Sequence, residues 1–391
     1  MIKRIFDFIS SLRLTIYCLS ACLLLVFAGT IAQMHLDIHT VQERYFQSVF
    51  IWWQGPSGEF KIPVFPGGHL LGGILLVNLI GAHIKRFRWK LSHLGIQLTH
   101  GGLIVMLAGG LLTDLFSVES HMRVATGQTQ NYSEASLDEE LAVIDHSDPS
   151  SDLVTAIPSQ KLRHGGVISH PGLPFSIVTR KFYENSRLAM LDQAAPDSAP
   201  AASQGLGSRI AVSEAPAATA QDEANASAAV IEILPAAAGS GPVAASLGTW
   251  LVSEALGSPQ TFSFGGKTWE LSMRRARYYK PYTVTLKKFT HEVYPGTQTP
   301  KNFASTIELS DPKANVSREV LIYMNHPFRY SGDTYYQSGM DDNGAVSILQ
   351  VVHNPSFVTP YVGCLIVGAG LIIQFAYHLV KFGRRRNALA V

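Results

Sequence analysis

The stretch Leu94–Leu115, LGIQLTHGGLIVMLAGGLLTDL, holds one ionisable ring, His100, among apolar and small residues. Its 22 residues suffice to cross a bilayer as a helix. A histidine at that depth is costly unless it faces a partner or a ligand. Residues alone leave two readings open: His100 holds a ligand, or it bonds a backbone carbonyl or a hydroxyl inside a helix bundle. Gly101, Gly102, Gly109 and Gly110 would let a helix or a flat ligand approach the backbone. His93 lies seven residues earlier, on nearly the same helical face and about 10 Å nearer the preceding basic segment. There it is either a snorkelling interface residue or a contact for a ligand coming in from that side.

Other reactive groups are sparse. Cys18, Cys22 and Cys364 all fall in apolar runs, and no CxxC occurs. The long region after the third apolar run has no cysteine, so it uses no disulfide and exchanges no thiols. No Ser/His/Asp arrangement, phosphate loop or clustered metal signature stands out.

The elements that must position His100 follow from hydropathy and charge. With 15% charged residues and a mean hydropathy of +0.14, the chain is too apolar for an ordinary soluble domain, where about 25% are charged. Basic residues cluster at Lys3, Arg4 and Arg13, at Lys85, Arg86, Arg88 and Lys90, and at Lys381, Arg384, Arg385 and Arg386. Each cluster borders an apolar run, which assigns it to the cytoplasm and argues against nucleic-acid binding.

Residues 1–117 read as a membrane domain with helices over about 14–32, 69–84 and 94–115. Residues 360–391 hold a fourth helix, about 360–380, and a basic tail. Both termini are then cytoplasmic, and the fold class is a four-helix membrane protein with a large β-rich extracytoplasmic domain between helices 3 and 4. Met34–Pro66 lies outside, with HLDIHTVQERYFQSVFIWWQG as a short interfacial helix anchored by Trp52 and Trp53.

Alternating apolar and polar residues predict strands over 118–189 and 246–359, as in PFSIVTRKFYE and in KTWELSMRRARYYKPYTVTLKKFTHEVY. Between them, 190–245 is rich in Ala, Pro and Ser and reads as a disordered insertion, with Ile231–Leu234 its one candidate for order. Tyr278, Tyr279, Tyr335, Tyr336 and Arg329 invite a docking role, but alternation assigns such residues first to the core or to solvent. NHPFRYSG, with His326, reads as a turn punctuated by Pro327 and Gly332.

The run Met324–Gly339, MNHPFRYSGDTYYQSG, followed by LQVVHNP and a final span, resembles the signature of the ResB family of system II cytochrome c biogenesis proteins, also called CcsB. GTIAQMH at Gly29–His35, QERYFQS at Gln42–Ser48, LTHGG at Leu98–Gly102 and YPGTQTPKNFAS at Tyr294–Ser305 are similar too.

The resemblance implies a bacterial inner-membrane subunit acting with a ResC/CcsA-type partner. Together they would move haem b across the membrane and attach it to apocytochrome c. His100 takes the position of the family's transmembrane haem histidine, an axial ligand to haem iron. The second ligand and the tryptophan-rich motif would come from the partner; with haem as the ligand, the entry-contact reading of His93 given by its spacing becomes a haem-entry contact, beside the snorkelling one. On this reading the chain is a non-catalytic or co-catalytic subunit of a haem lyase. Two rivals stand beside it. In one, the chain is a haem-free scaffold for apocytochrome c. In the other it is a dihaem b-type cytochrome, suggested by His69 and His83 fourteen apart on the second span but lacking a second helix with that spacing.

Overall fold

The computed structural model describes residues 1–36, 38–54, 60–148, 151–195, 198–216, 225–235, 245–297, 300–341 and 345–389. The chain forms two compact units. Met1–Val118 and Asn354–Val391 make up the first, and Glu119–Ala218 with Asp222–His353 the second.

In the first unit the helices are α1 (Ile2–Ile9), α2 (Leu12–Ala32), α3 (Gly68–Arg86), α4 (Leu91–Phe116) and α5 (Thr359–Leu389), besides one turn of helix at Ile38–Val41. Among the described residues, α2, α3, α4 and α5 are long and apolar enough to cross a bilayer. Only Phe87–Lys90 separate α3 from α4, shorter than the nine-residue turn the basic run suggested, because Lys and Arg extend helices readily. α5 runs past 380 through the basic tail for the same reason.

α1 is amphipathic and was not expected. Its Ile and Phe side chains lie at helical spacing against Lys3, Arg4 and Asp7, and Asp7 pairs with Lys85 at 2.7 Å. Ser11 caps α2 by accepting from the Leu14 amide at 3.2 Å. The buried Asn78 of α3 locks this corner. Its amide donates to the carbonyls of Ile9 and Ser11, and its oxygen accepts from Thr15 at 2.7 Å.

Only part of the stretch expected as an interfacial helix is helical. After a π-turn at Gln42–Phe46, Phe50–Gln54 pairs antiparallel with Lys61–Pro66. The β-branched and aromatic run Val49–Trp53 favours a strand over a helix.

The second unit is β-rich. One strand, Lys267–Val293, passes through two of its hydrophobic cores. Trp269, Leu271 and Met273 alternate into the first, with Leu141, Phe175, Ile231 and Trp250. Tyr282, Val284 and Leu286 alternate into the second, with Met122, Ile307, Phe328, Tyr335 and Leu349. Register breaks at Arg275/Arg277 and Tyr279/Val284 separate these segments, as bulges do where a strand changes the face it buries. The strand belongs to a ten-stranded sheet, and a four-stranded sheet covers the first core.

Parts of 190–245, expected as a disordered insertion, are instead paired in strands. Ser186–Met190 pairs with Ile210–Glu214, and Ala228–Pro235 is an inner strand between Phe175–Tyr183 and Thr249–Ser253. Ala229, Ile231 and Ile233 enter the first core, while Ala228 and Val230 enter a third with Tyr183 and Leu251. Alanine serves this strand because both faces are covered and little room remains. The expected disorder of 196–197, 217–224 and 236–244 lies outside the described residues.

Candidate functional site

α4 has two faces of different character. Gly95, Gly102 and Gly109, spaced seven apart, are buried and form a seam against α5. A Cβ on Gly102 would meet the Gly363 carbonyl oxygen at 2.8 Å, and one on Gly95 would meet that of Gly370 at 2.7 Å. Backbones at such separation pack through small residues, as in tight membrane helix pairs. Gly101 and Gly110 have nothing within 4 Å where a Cβ would lie. Of the four glycines noted in the sequence, two therefore serve a helix and two border open space.

His100 precedes Gly102 by two residues, which at about 100° per residue turns it to the opposite face of α4. There it meets α3. The rings of His83 and His100 have centroids 6.5 Å apart with planes inclined at 73°, and His83 also touches Phe87 edge-on at 5.7 Å. Both imidazoles are half-buried. Among the described residues neither ring makes a hydrogen bond. α4 packs far less extensively on α3 than on α5, so this face is the open one. His83 lay in the sequence as a polar residue of the second span, but its pairing with His100 depends on helix rotation, which sequence spacing does not give.

His93, half-buried, bonds the Ser92 hydroxyl at 3.0 Å through Nδ1. His69 is held at the far end of α3 by Asp114 of α4 at 2.5 Å, and Gln47 donates to the same carboxylate at 3.0 Å. His69 and His83, which share a helical face in sequence, thus have different neighbours.

Imidazole is a donor that suits haem iron, and neither His83 nor His100 makes a hydrogen bond among the described residues. Three or more His, Cys, Asp or Glu in metal-binding arrangement do not occur among the described residues.

The second unit carries a different polar cluster. Asp333 is buried and accepts from Tyr282 at 2.8 Å, from Lys280 at 2.8 Å and from His353 Nδ1 at 2.9 Å. Tyr282 and Tyr335 share a further bond of 2.7 Å. Burial alone would raise the Asp333 carboxyl, but Lys280, Tyr282 and His353 together hold it below the usual carboxylate range. Burial, with the neighbouring carboxylate, pushes both tyrosine hydroxyls up. These are satisfied structural groups.

The MNHPFRYSGDTYYQSG run builds turns and core around this cluster. Asn325 has a positive φ of 63°, and His326 stacks on Tyr323 at 4.0 Å. Ser331 and Gly332, both at positive φ, make the two-residue turn that pairs Tyr330 with Asp333. Phe328 and Tyr335 point into the second core, whereas Tyr279 and Tyr336 are exposed.

A model of the ResB-like family matches residues 228–348. Protein NrfI of Wolinella succinogenes is 30% identical over 92 residues, covering 24% of this chain and 10% of the relative. The alignment thus spans a tenth of that relative's length. Both matches support assignment of the chain to the ResB-like family. The family match falls wholly within the β-rich unit, away from the histidines of α3 and α4.

Proposed function

We propose that this chain is a membrane subunit of cytochrome c biogenesis that handles haem. With a ResC/CcsA-type partner it carries haem across the membrane and presents it for attachment to apocytochrome c. The observation that carries the reading is His100: an imidazole on a helix able to span the membrane, turned from the glycine seam to an open face, with no hydrogen bond among the described residues. An ionisable group so placed calls for a ligand. Haem, when bound there, supplies the iron that such an imidazole ligates. The chain supplies position, not a nucleophile, since thioether formation uses the apoprotein's cysteines.

The basic clusters support an orientation with both termini in the cytoplasm and the β-rich unit outside the inner membrane. Single cysteines at positions 90, 225 and 385, labelled from each side, test this. Labelling of 90 or 385 from outside refutes it.

The test of the function is His100→Gly in the complex with the partner. Copurified haem and cytochrome c assembly fall, protein abundance is unchanged, and added imidazole restores part of both. Unchanged haem content refutes ligation by His100. The haem-free scaffold reading then leads, and the confinement of the family match to the β-rich unit favours it as the second reading.

A further inference from the structure

We infer that α1 is an interfacial helix that binds anionic lipid. It lies along the bilayer surface with its Ile and Phe side chains among the acyl chains and its basic residues on the headgroups. The inference is independent of the haem reading.

The two faces of α1 carry it. At about 100° per residue, Phe8, Ile5, Ile9, Ile2 and Phe6 fall within an arc of about 160°, and Lys3, Asp7 and Arg4 occupy the rest. Ile2, Ile5 and Phe8 are 83%, 50% and 60% exposed within the protein, and Phe6 is 38% exposed. An uncovered stripe of such side chains is costly in water, so an apolar medium or surface covers it. Segregated apolar and basic residues on a short helix suit the plane of a membrane interface.

The attachment of α1 says what covers it. Only Ser10 and Ser11 separate it from α2, which is long and apolar enough to cross a bilayer. Asp7 pairs with Lys85 in the last turn of α3 at 2.7 Å. The Ile9 carbonyl accepts from Asn78, and Ile9 lies 3.7 Å from where a Cβ on Gly81 would stand. Asn78 precedes Lys85 by seven residues, about 10 Å along a helix. The C-terminal end of α1 is therefore held inward of the basic end of α3. Interfacial helices bury their apolar face to a similar depth, roughly 5–10 Å. The acyl chains that surround α2 and α3 then reach the apolar arc of α1.

Charge selects the lipid. Lys3, Arg4 and Arg13 lie on or just after α1, and Arg86, Arg88 and Lys90 follow at the end of α3. None of these six has an ion-pair partner among the described residues, whereas Asp7, the one acidic residue of α1, is taken by Lys85. Such a cluster at a membrane surface attracts anionic headgroups.

The experiment uses the full chain in nanodiscs of equal parts phosphatidylcholine and phosphatidylglycerol. In a background of Cys18→Ala, Cys22→Ala and Cys364→Ala, either Arg4→Cys or Ile5→Cys carries a nitroxide label. Power saturation reads its collisions with oxygen, which concentrates among acyl chains, and with a water-soluble nickel chelate. The label at position 5 favours oxygen, and the label at position 4 favours nickel. If the label at 5 meets nickel as readily as the label at 4, the interfacial placement is overturned. A label at 5 shielded from both collision partners overturns it too, since protein then covers α1 in place of lipid.

Lipid selection is read separately, from a fluorophore at position 5 quenched by spin-labelled lipid. Phosphatidylglycerol quenches several-fold more than phosphatidylcholine at equal mole fraction, and Lys3→Gln with Arg4→Gln removes the difference. Equal quenching by the two lipids without these substitutions overturns headgroup recognition, as does a preference that survives them. Lys3, Arg4 and Ile5 are exposed, and gel-filtration profiles matching the parent chain establish that each variant is folded.

Discussion

Two inward-facing polar clusters, one in each unit, differ in whether their bonds are made. In the β-rich unit Asp333 is saturated by Lys280, Tyr282 and His353, and the buried Glu140 is likewise paired with Arg274 at 3.0 Å. In the helical unit Asn78 is saturated too, but His83 and His100 make ring contacts and no hydrogen bond among the described residues. A polar group whose bonds are all made is fixed structure, and removing it costs stability. A polar group left open in an apolar setting is paid for by what it later binds, so removing it should cost binding and little else.

The largest expected effect comes from breaking the saturated cluster. Asp333→Ala leaves the largely covered Lys280 without its counter-charge and should cost about 3–5 kcal/mol, seen as an earlier denaturant midpoint for the full chain in detergent. The pH dependence has a definite sign. A carboxyl whose folded pKa is lowered stabilises fully above its unfolded value near 3.9, and that stability is lost as pH falls through the folded value. Asp333→Asn should therefore flatten the acid side of the stability profile. An unchanged acid limb would show that the cluster does not govern it.

The next effect sharpens the contrast between the faces of α4. Gly102→Leu drives a Cβ to within 2.7 Å of Val367 and 2.8 Å of the Gly363 carbonyl. It should cost at least the ~1–3 kcal/mol typical of overpacking and lower the amount of folded protein. Gly101→Leu, one residue away, meets nothing within 4 Å and should stay within about 0.5 kcal/mol of the wild type. Equal losses from both would abolish the distinction between a packed and an open face.

Asn78→Ala comes third. It deprives the Ile9 and Ser11 carbonyls and the Thr15 hydroxyl of a partner, and about 1–3 kcal/mol is expected. Limited proteolysis at the α1–α2 corner should report this loosening. The smallest stability effect belongs to His83→Ala, within about 0.5 kcal/mol, because it breaks no hydrogen bond among the described residues. A thermal midpoint lowered as far as that of Asn78→Ala would make His83 a structural residue.

Much of this was legible in the sequence because it rests on local pattern. Apolar runs bounded by basic clusters mark α2 to α5, and the alternation of Trp269, Leu271 and Met273, then of Tyr282, Val284 and Leu286, marks a strand. His100 stood out because one ionisable ring in 22 apolar and small residues is visible without a fold. Composition misled at Ala228–Pro235. Alanine reads as low complexity in a linear chain, yet it is the size that fits between two covered faces of a sheet.

What only the tertiary structure decided is rotation and pairing. Heptad spacing put Gly95, Gly102 and Gly109 on one face, but contact with Gly363 and Gly370 showed which helix they serve. That contact in turn fixes which way His100 points and brings it to His83, seventeen residues away across a tight turn. Sequence spacing fixes the angle between residues on one helix. The angle between two helices is set by the side chains that meet, and those are known only once the chain has folded.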